Sequence, residues 1–578
     1  MSLLTEQPQR MALERRLLVD LARCMPNFVM AGWTRTGPGQ LCLNFRLEAL
    51  GRVHVGQLVY PDLFPDVPAF IQPKTPGECW STHQYGGAGV LCLEYGPDNW
   101  HPGVTGADLV RSANTLLWGE RLSLVSSVVG PVPSRHAVSL GQERRGNLDR
   151  LLFTPALVAA LRHPAGMPAV AINVAASTLN EQRVAVVTAT GFPPVSLSDI
   201  AEALVTERAQ WPGWAIEASA GNVPARPASI ASIKQALGAA WPWQGELDDG
   251  LYFLLLHQDG VPTRAFMLSG GTTPLVREYV TMEAGDDAAR LPASFNRLKD
   301  VMVAIVGLGS LGSKVAASLA RAGVRHFLLV DDDFLGAHNI VRNEMTWLDI
   351  GLPKVQAVER HLKRIAPGVQ VGTRNIRVGG QENPMLAARL ADDLTQANLI
   401  LDCTCDGSAF LVLAALAKRR SIAMAWGEVF GGGAGALMAR SVPGRDAAPL
   451  AIRVHLQGVF GTLAPVPEGR AKNYSLEQCG RVYVASDADV SALAAALAQF
   501  SLDVLVADGD SAYPVAAYLL GFRKFWEFKA PFDTVPIDCS GAMRTAAEEV
   551  PLTAADEVEL KELKRAMEAD SDAADHGA

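Results

Sequence analysis

Between Val301 and Lys354 the chain gathers glycines, carboxylates, an amide and two cations at spacings suited to a phosphorylated nucleotide. Gly307, Gly309 and Gly312 stand in G-x-G-x-x-G order. That spacing lets backbone N–H groups approach phosphate at a helix N-terminus. Asp331 follows about 20 residues later, where a carboxylate can accept from a ribose hydroxyl. A nicotinamide or flavin site needs only that one acid. Asp331-Asp332-Asp333, Asn339, Arg342 and Lys354 bring more charge than a diphosphate cradled by a helix end requires. A triphosphate with magnesium uses all of them, because the charge developing on the phosphates has to be neutralised. Taken singly, Arg342 and Lys354 read as solvated surface cations; as a set at this spacing they point to nucleotide chemistry.

The elements that must position these groups are legible around them. Val301–Val306 is short, apolar and β-branched, as a buried parallel strand should be. Ser313–Ala322 predicts an Ala-rich helix ending at Gly323, and Phe327–Val330 a second strand that delivers Asp331. Further on, Ser408–Lys418 predicts a helix, Ile422–Gly427 a strand, Gly431–Gly435 a turn and Val490–Val506 a long helix. The succession G-x-G-x-L-G-S, D-x-D, N-x-x-R, G-x-x-K resembles the ThiF-like and ubiquitin-activating adenylyltransferases, from near Arg290 to near Ile537.

The resemblance implies ATP and Mg2+ as cofactors and adenylation of the C-terminal glycine carboxylate of a small protein. By it, Gly307, Gly309 and Gly312 cradle phosphate and Asp331 holds the ribose. Asp333 and Asn339 stand near metal and phosphates, while Arg342 and Lys354 contact the triphosphate. The family's Asp-x-Thr-Asp is represented here by Asp402-Cys403-Thr404-Cys405-Asp406, so the metal acid is Asp406, displaced by one, or Asp402. Such domains pair, and an arginine of one copy can reach the other's ATP; Arg290, or else Arg297, is the candidate in an expected homodimer. The family often places a thioester cysteine in the loop before the last helix, which is Cys479; Cys539 is the runner-up, and Cys403 and Cys405 are expected to pack beside the metal acid.

Residues 1–145 predict a first unit. A helix over Met11–Cys24 precedes strands at Phe28–Trp33, Leu41–Leu47 and Val53–Val59. The proline-dense Tyr60–Pro76 predicts an extended loop. On composition alone, Cys92 between Leu91 and Leu93 reads as inert core. The order helix, strand meander, Tyr60-Pro61, His83, Cys92-Leu93, Trp100 and terminal helix nevertheless resembles a ubiquitin-conjugating domain. That resemblance makes Cys92 a thioester acceptor. His83 matches the family's His-Pro-Asn triplet, whereas Gln84 and Tyr85 replace its proline and its oxyanion-stabilising asparagine.

Residues 146–285 predict a small α/β spacer, with strands at Ala169–Val174, Arg183–Thr190 and Leu251–Leu256 and helices at Ser198–Thr206 and Ile230–Leu237. They show no catalytic constellation. The fold class is therefore α/β multidomain: a conjugating-like α+β domain (1–145), a spacer (146–285), a Rossmann-like activating domain (286–545) and an acidic tail (546–578). The 578 residues, 49% hydrophobic and 19% charged, have the composition of globular domains. A net charge of −9 argues against nucleic acid as a partner. No apolar run suggests a membrane span, the first residues lack a signal-peptide core, and the eight cysteines form no C-x-x-C pair, so free thiols in the cytoplasm are expected.

Together the resemblances imply ATP-dependent ubiquitin-like conjugation, from acyl-adenylate through Cys479 and Cys92 thioesters to a target amine. The domain order most resembles fusion enzymes of bacterial cyclic-oligonucleotide antiphage systems, whose passenger is the C-terminus of a cGAS-like nucleotidyltransferase. Three other readings are compatible with parts of the chain. They are an NAD- or FAD-dependent oxidoreductase, a scaffold retaining both folds without chemistry, and a ThiF-like enzyme of sulfur transfer.

Overall fold

In the computed structural model the described residues are 3–561, apart from 37–39, 82, 86–88, 126–148, 163–168, 180–181, 198–199, 201–203, 206–207, 219–220, 222, 224–228, 285–289, 464–469, 473–474, 479–480, 508–510, 546–552, 554–555 and 557. The chain divides into two compact units, residues 1–146 and 147–578.

The first unit is α+β. Helix α1 (Pro8–Cys24) precedes strands β1 (Phe28–Thr36), β2 (Gln40–Ala49), β3 (Arg52–Tyr60) and β4 (Phe70–Pro73), and α2 (Gly106–Val125) follows. The strands pair antiparallel in sequence order, and one face buries Phe45, Leu47, Leu58 and Ile71 with Leu18 and Leu21 of α1 and Leu109 and Val110 of α2. The sequence predicted Tyr60–Pro76 as loop throughout, yet β4 pairs with β3 inside it. Proline is tolerated because β4 is the sheet edge, where a missing N–H costs no ladder bond. The helices are tied to the sheet by a buried carboxylate. Glu14 accepts from Tyr60 Oη (3.0 Å) and from the Gly106 amide (2.7 Å) and pairs with Arg10. Burial pushes the Glu14 carboxyl up against those donors.

The second unit holds two large sheets. In the first, β5 (Asp149–Phe153), β6 (Ala169–Leu179), β7 (Gln182–Thr190), β8 (Val195–Ser196), β9 (Ala209–Glu217), β10 (Tyr252–Gln258), β11 (Val261–Ser269) and β12 (Leu275–Glu283) run in the order β5-β12-β11-β10-β9-β6-β7-β8. Strand β5 also pairs with β7, so seven strands close into a ring and only β8 extends beyond it. Closure explains why both faces are apolar. Phe253 and Leu255 of β10 point to one core with α3 (Pro155–Leu161), while Leu254 and Leu256 meet α4 (Ile230–Leu237) on the other. Of the helices expected here, Ile230–Leu237 is present, and Ser198–Thr206 lies mostly outside the described residues. The sequence reading missed β5, β8, β9, β11 and β12.

The second sheet runs β15 (Gln370–Arg374), β14 (His326–Val330), β13 (Met302–Val306), β16 (Leu399–Asp402), β17 (Ala423–Phe430), β18 (Gly435–Ser441), β22 (Ala517–Gly521) and β23 (Thr534–Ile537). The first five are parallel, with β13 at the centre, and the last three continue antiparallel. Helices α5 (Ser310–Ala322) and α6 (Lys354–Ile365) cover one face, where Val303 and Ile305 are buried. Helices α7 (Pro384–Leu394), α8 (Gly407–Arg420) and α9 (Pro449–Thr462) cover the other, with Ala304 and Val306. Between α9 and the last helix a small antiparallel sheet forms from β19 (Arg470–Lys472), β20 (Ser475–Gln478) and β21 (Arg481–Val484).

One expectation is corrected by the fold. Helix α10 (Asp487–Val506) is 20 residues long with a mean hydropathy of 1.5, long and apolar enough to span a membrane. In this fold its Val490, Leu493, Leu497 and Phe500 pack into the sheet's core. After β22 the chain turns at Phe525–Phe528 and ends the sheet with Thr534–Ile537.

Candidate functional site

The glycine turn follows β13 and opens α5. Gly307 has φ +86°, a left-handed conformation in which a side chain is strained. A Cβ at Gly312 would lie 1.9 Å from the Gly307 carbonyl oxygen, so the helix can press on the turn only without one. Gly309 is different: a Cβ there meets nothing within 4 Å, which leaves its outer side open to a ligand. Ser313 closes the first helical turn by donating from Oγ to the Gly309 carbonyl at 2.7 Å.

Asp331 stands at the end of β14, beside this turn. Its Oδ2 accepts from the Leu308 amide at 2.6 Å and its Oδ1 from the Asp333 amide at 2.9 Å. Burial pushes its carboxyl up, against these two donors and the charge of Lys354. Lys354, at the start of α6, donates from Nζ to Asp333 Oδ2 at 2.6 Å and from its backbone to the Asp333 carbonyl at 2.9 Å. The ammonium holds the Asp333 carboxyl below its ordinary range. Lys354 is buried, which is uncommon for lysine and sustained by that pair. The structure thus brings Gly307, Gly309, Gly312, Asp331, Asp333 and Lys354 into one locality.

The other predicted residues are placed less directly. Asn339 uses Oδ1 to accept from the Gly336 amide at 2.8 Å and so shapes the loop between β14 and α6. Arg342 donates from Nη1 to the Ala485 carbonyl, 3.2 Å away, just before α10. Arg290 is exposed at a turn, and Arg297 donates to the Val506 carbonyl at the end of α10. Sequence reasoning missed Asn343 and Lys314. Asn343 is buried and donates from Nδ2 to the Leu308 carbonyl at 3.2 Å, a second brace on the glycine turn. Lys314 pairs with Asp487 at 2.9 Å and Glu344 at 3.7 Å. Adjacency to Arg342 and to the glycine motif was their only signal.

The two metal candidates separate clearly. Asp406 caps α8, its Oδ1 accepting from the Ser408 and Ala409 amides and its Oδ2 from Arg377 at 3.2 Å. Those bonds hold its carboxyl below the ordinary range. Asp402 is buried at the end of β16, with Oδ1 accepting from the Thr404 amide and hydroxyl, and burial pushes its carboxyl up. It lines a cavity of about 110 Å³ with Cys405, Trp426, Glu428 and Arg453, and Asp406 borders the same cavity. Among the described residues no three acidic, His or Cys side chains converge as a metal cage. Magnesium needs no such cage, since it usually keeps waters and takes one or two carboxylates beside substrate phosphates. Asp402 fits that requirement; Asp406 is already committed to its helix.

The cysteines differ in kind. Cys403 is buried and its thiol is pushed well up by burial, as packing beside the acid predicts. Cys405 is exposed, at φ +55°, with Sγ 3.9 Å from the Gly427 carbonyl oxygen. Cys539 is buried, and burial with Asp538 nearby pushes its thiol up to about 11, which disfavours the reactive thiolate. Cys479 lies outside the described residues. In the first unit, the Cys92 amide donates to the His83 carbonyl at 2.8 Å, and the half-exposed Cys92 thiol donates to the Tyr85 hydroxyl at 3.6 Å. Trp100 donates from Nε1 to the Pro65 carbonyl at 2.7 Å and holds the chain between that hairpin and α2.

Residues 285–498 match the ThiF family. The chain carries a ThiF domain. It is 29% identical over 199 residues to the uncharacterized protein y4oA of Sinorhizobium fredii, covering 32% of this chain and 32% of that protein. It is 36% identical over 109 residues to the sulfur carrier protein ThiS adenylyltransferase of Escherichia coli, covering 19% of this chain and 41% of that one. It is 31% identical over 148 residues to the ATP-dependent ubiquitin transferase-like protein Cap2 of Enterobacter hormaechei, covering 25% and 24%. The chain spans between about a quarter and two fifths of the length of these relatives. The glycine turn, Asp331, Lys354 and Asp402 all fall inside the matched ThiF segment, as does Cys479.

Proposed function

We propose that this chain is an ATP-dependent enzyme that activates the C-terminal carboxylate of a protein and passes it to an amine. The observation that carries the reading is the Lys354–Asp333 pair beside the glycine turn that Asp331 braces. A buried ammonium, open backbone N–H groups at the start of α5 and a ribose-accepting acid together suit a nucleoside triphosphate. The names of two relatives, an adenylyltransferase and an ATP-dependent ubiquitin transferase-like protein, support the same chemistry.

In this reading the passenger's carboxylate oxygen attacks the α-phosphorus of ATP, the bond to the β-phosphate breaks, and pyrophosphate leaves. Lys354 and Arg342 steady the departing negative charge, and the turn amides hold the phosphates in line. Asp402 would hold magnesium, which when bound would supply further charge neutralisation. Cys479 then attacks the acyl carbon and AMP leaves; Cys92 takes the acyl group by thioester exchange. An amine finally displaces the Cys92 thiolate and forms an amide. Each thioester keeps the carboxyl activated after AMP has gone. The passenger is a cGAS-like nucleotidyltransferase and the setting antiphage defence, on the resemblance of domain order and the similarity to Cap2. Cytoplasmic location and a homodimer, with Arg290 at the neighbouring copy's nucleotide, complete the proposal.

The test is incubation of the full chain with ATP-Mg and a cGAS-like nucleotidyltransferase carrying its native C-terminus. A thiol-sensitive covalent species followed by a thiol-resistant one is expected. Binding of NAD or FAD with no pyrophosphate exchange would replace the reading with an oxidoreductase. ATP binding with no covalent species would leave a scaffold.

A further inference from the structure

The segment from His83 to Cys92 is a short antiparallel ladder. The Cys92 amide donates to the His83 carbonyl at 2.8 Å, the Tyr85 amide donates to the Val90 carbonyl at 2.8 Å, and Gln84 bridges Leu91 between them. In such a ladder directly opposed residues share a face, and successive residues change face. Leu91 is buried in the domain core, so Cys92 faces outward, and Tyr85 lies diagonally across from it on that outer face. The diagonal spacing is one that an aromatic side chain can bridge. The Tyr85 hydroxyl accordingly reaches the Cys92 sulfur, 3.6 Å away.

Gln84 pins this register from the other side. Its Oε1 accepts from the Trp80 and Ser81 amides, and its Nε2 donates to the Glu78 and Gly89 carbonyls. A one-residue slip would break all four bonds and carry Leu91 out of the core. Tyr85 is 54% exposed and Cys92 half-exposed, so an incoming amine can reach both. The hydrogen bond with Cys92, partial burial and the charge of Asp98 push the phenol up to about 12, so it stays protonated and able to donate at neutral pH.

We propose that Tyr85 is a catalytic residue of acyl transfer at Cys92, its O–H donating to the oxyanion that forms when an amine adds to the Cys92 thioester. The inference rests on reading Cys92 as the acyl carrier. The amine lone pair forms the C–N bond, and the carbonyl π pair moves to oxygen, which accepts from the phenol. Collapse restores the carbonyl, breaks the C–S bond and releases Cys92 as thiolate, while the amine loses its proton to water. The phenol keeps its own proton throughout. It thereby does by hydrogen bonding what an amide side chain at this position would do.

The test uses the full-length chain, loaded at Cys92 by exchange with a mercaptan thioester of acetyl-glycyl-glycine and followed by mass of the Cys92 peptide. Discharge to free lysine is timed from pH 6 to 9. Tyr85→Phe keeps the ring and removes only the donor. It should load as wild type does and discharge about 10- to 100-fold more slowly, at the lower end of the loss typical of an oxyanion donor because the site is open to water. The deficit should be the same at every pH in that range. Wild-type discharge by Tyr85→Phe would overturn the role of Tyr85 while leaving Cys92 as carrier. A slowing matched by an equal loss of iodoacetamide alkylation would place the phenol on the thiolate alone and also overturn it. Failure of the wild-type chain to load above the Cys92→Ala background would instead overturn the reading of Cys92.

Discussion

At the glycine turn the groups offered to a ligand are backbone amides, and the side chains around them are held by short bonds within the ThiF domain. Asp331, Asn343 and Ser313 each brace that backbone, and Lys354 is buried on Asp333. At Cys92 the candidate atom is a half-exposed thiol, with the Tyr85 phenol beside it on the register of a short hairpin. The first arrangement suits charge that must be met by preorganised dipoles, the second an acyl group that large partners must approach from solvent. A buried cradle tolerates little change of shape; an exposed thiol tolerates change of shape but none of chemistry.

Substitution at the thiol should therefore have the largest effect on the overall reaction. Cys92→Ala is expected to yield no amide product while ATP–pyrophosphate exchange persists; unchanged product would remove the conjugating role. Cys479→Ala should likewise exchange pyrophosphate but load neither cysteine, which gel analysis without thiol would reveal. If Cys539→Ala shows that phenotype instead, the buried cysteine takes the role.

Next comes Lys354→Ala, measured by pyrophosphate exchange with a folded protein. Removing a charge-assisted phosphate contact should cost about 2–4 kcal/mol in the transition state, or about 30- to 1000-fold in rate. Normal exchange would mean that Lys354 serves Asp333 alone.

The glycines sharpen the contrast between shape and chemistry. Gly312→Ala forces a methyl against the Gly307 carbonyl and should destabilise the domain by about 1–3 kcal/mol in urea unfolding. Gly309→Ala meets no neighbour and should stay within about 0.5 kcal/mol of wild type while weakening ATP binding. Equal stability losses at both positions would contradict this division.

The smallest effects concern the acids. Asp406→Ala loses a helix cap worth about 1 kcal/mol, with exchange near wild type, whereas Asp402→Asn should depress exchange at limiting magnesium. The Lys354–Asp333 pair also leaves a pH signature. Because the folded carboxyl titrates below its unfolded range, the pair's contribution is present above that range. It is lost as pH falls through the lower folded value. Asp333 is 63% exposed, so the loss should stay below about 1 kcal/mol and vanish in Lys354→Met.

What the chain's order of residues determined by itself was the local logic of the candidate nucleotide site. The turn glycines, the apolar runs of β13 and β14 and the acid at the strand end are contiguous, so their spacing states their geometry. Helices α1, α4, α5, α8 and α10 were readable for the same reason, since periodicity is a local property. Tertiary structure decided whatever depended on distant partners. Strand β4 exists despite Pro73 because β3 offers an edge, and the closed ring forms because β5 finds both β7 and β12. Asp402 and Asp406 are four residues apart and equivalent in sequence; both border one cavity, and only the fold engages one as a helix cap and buries the other at a strand end. Tyr85 read as the loss of an asparagine until the ladder placed its hydroxyl on the Cys92 sulfur. A hydrogen bond across a register has no signature along the chain, because the spacing that creates it is set by which strand faces which.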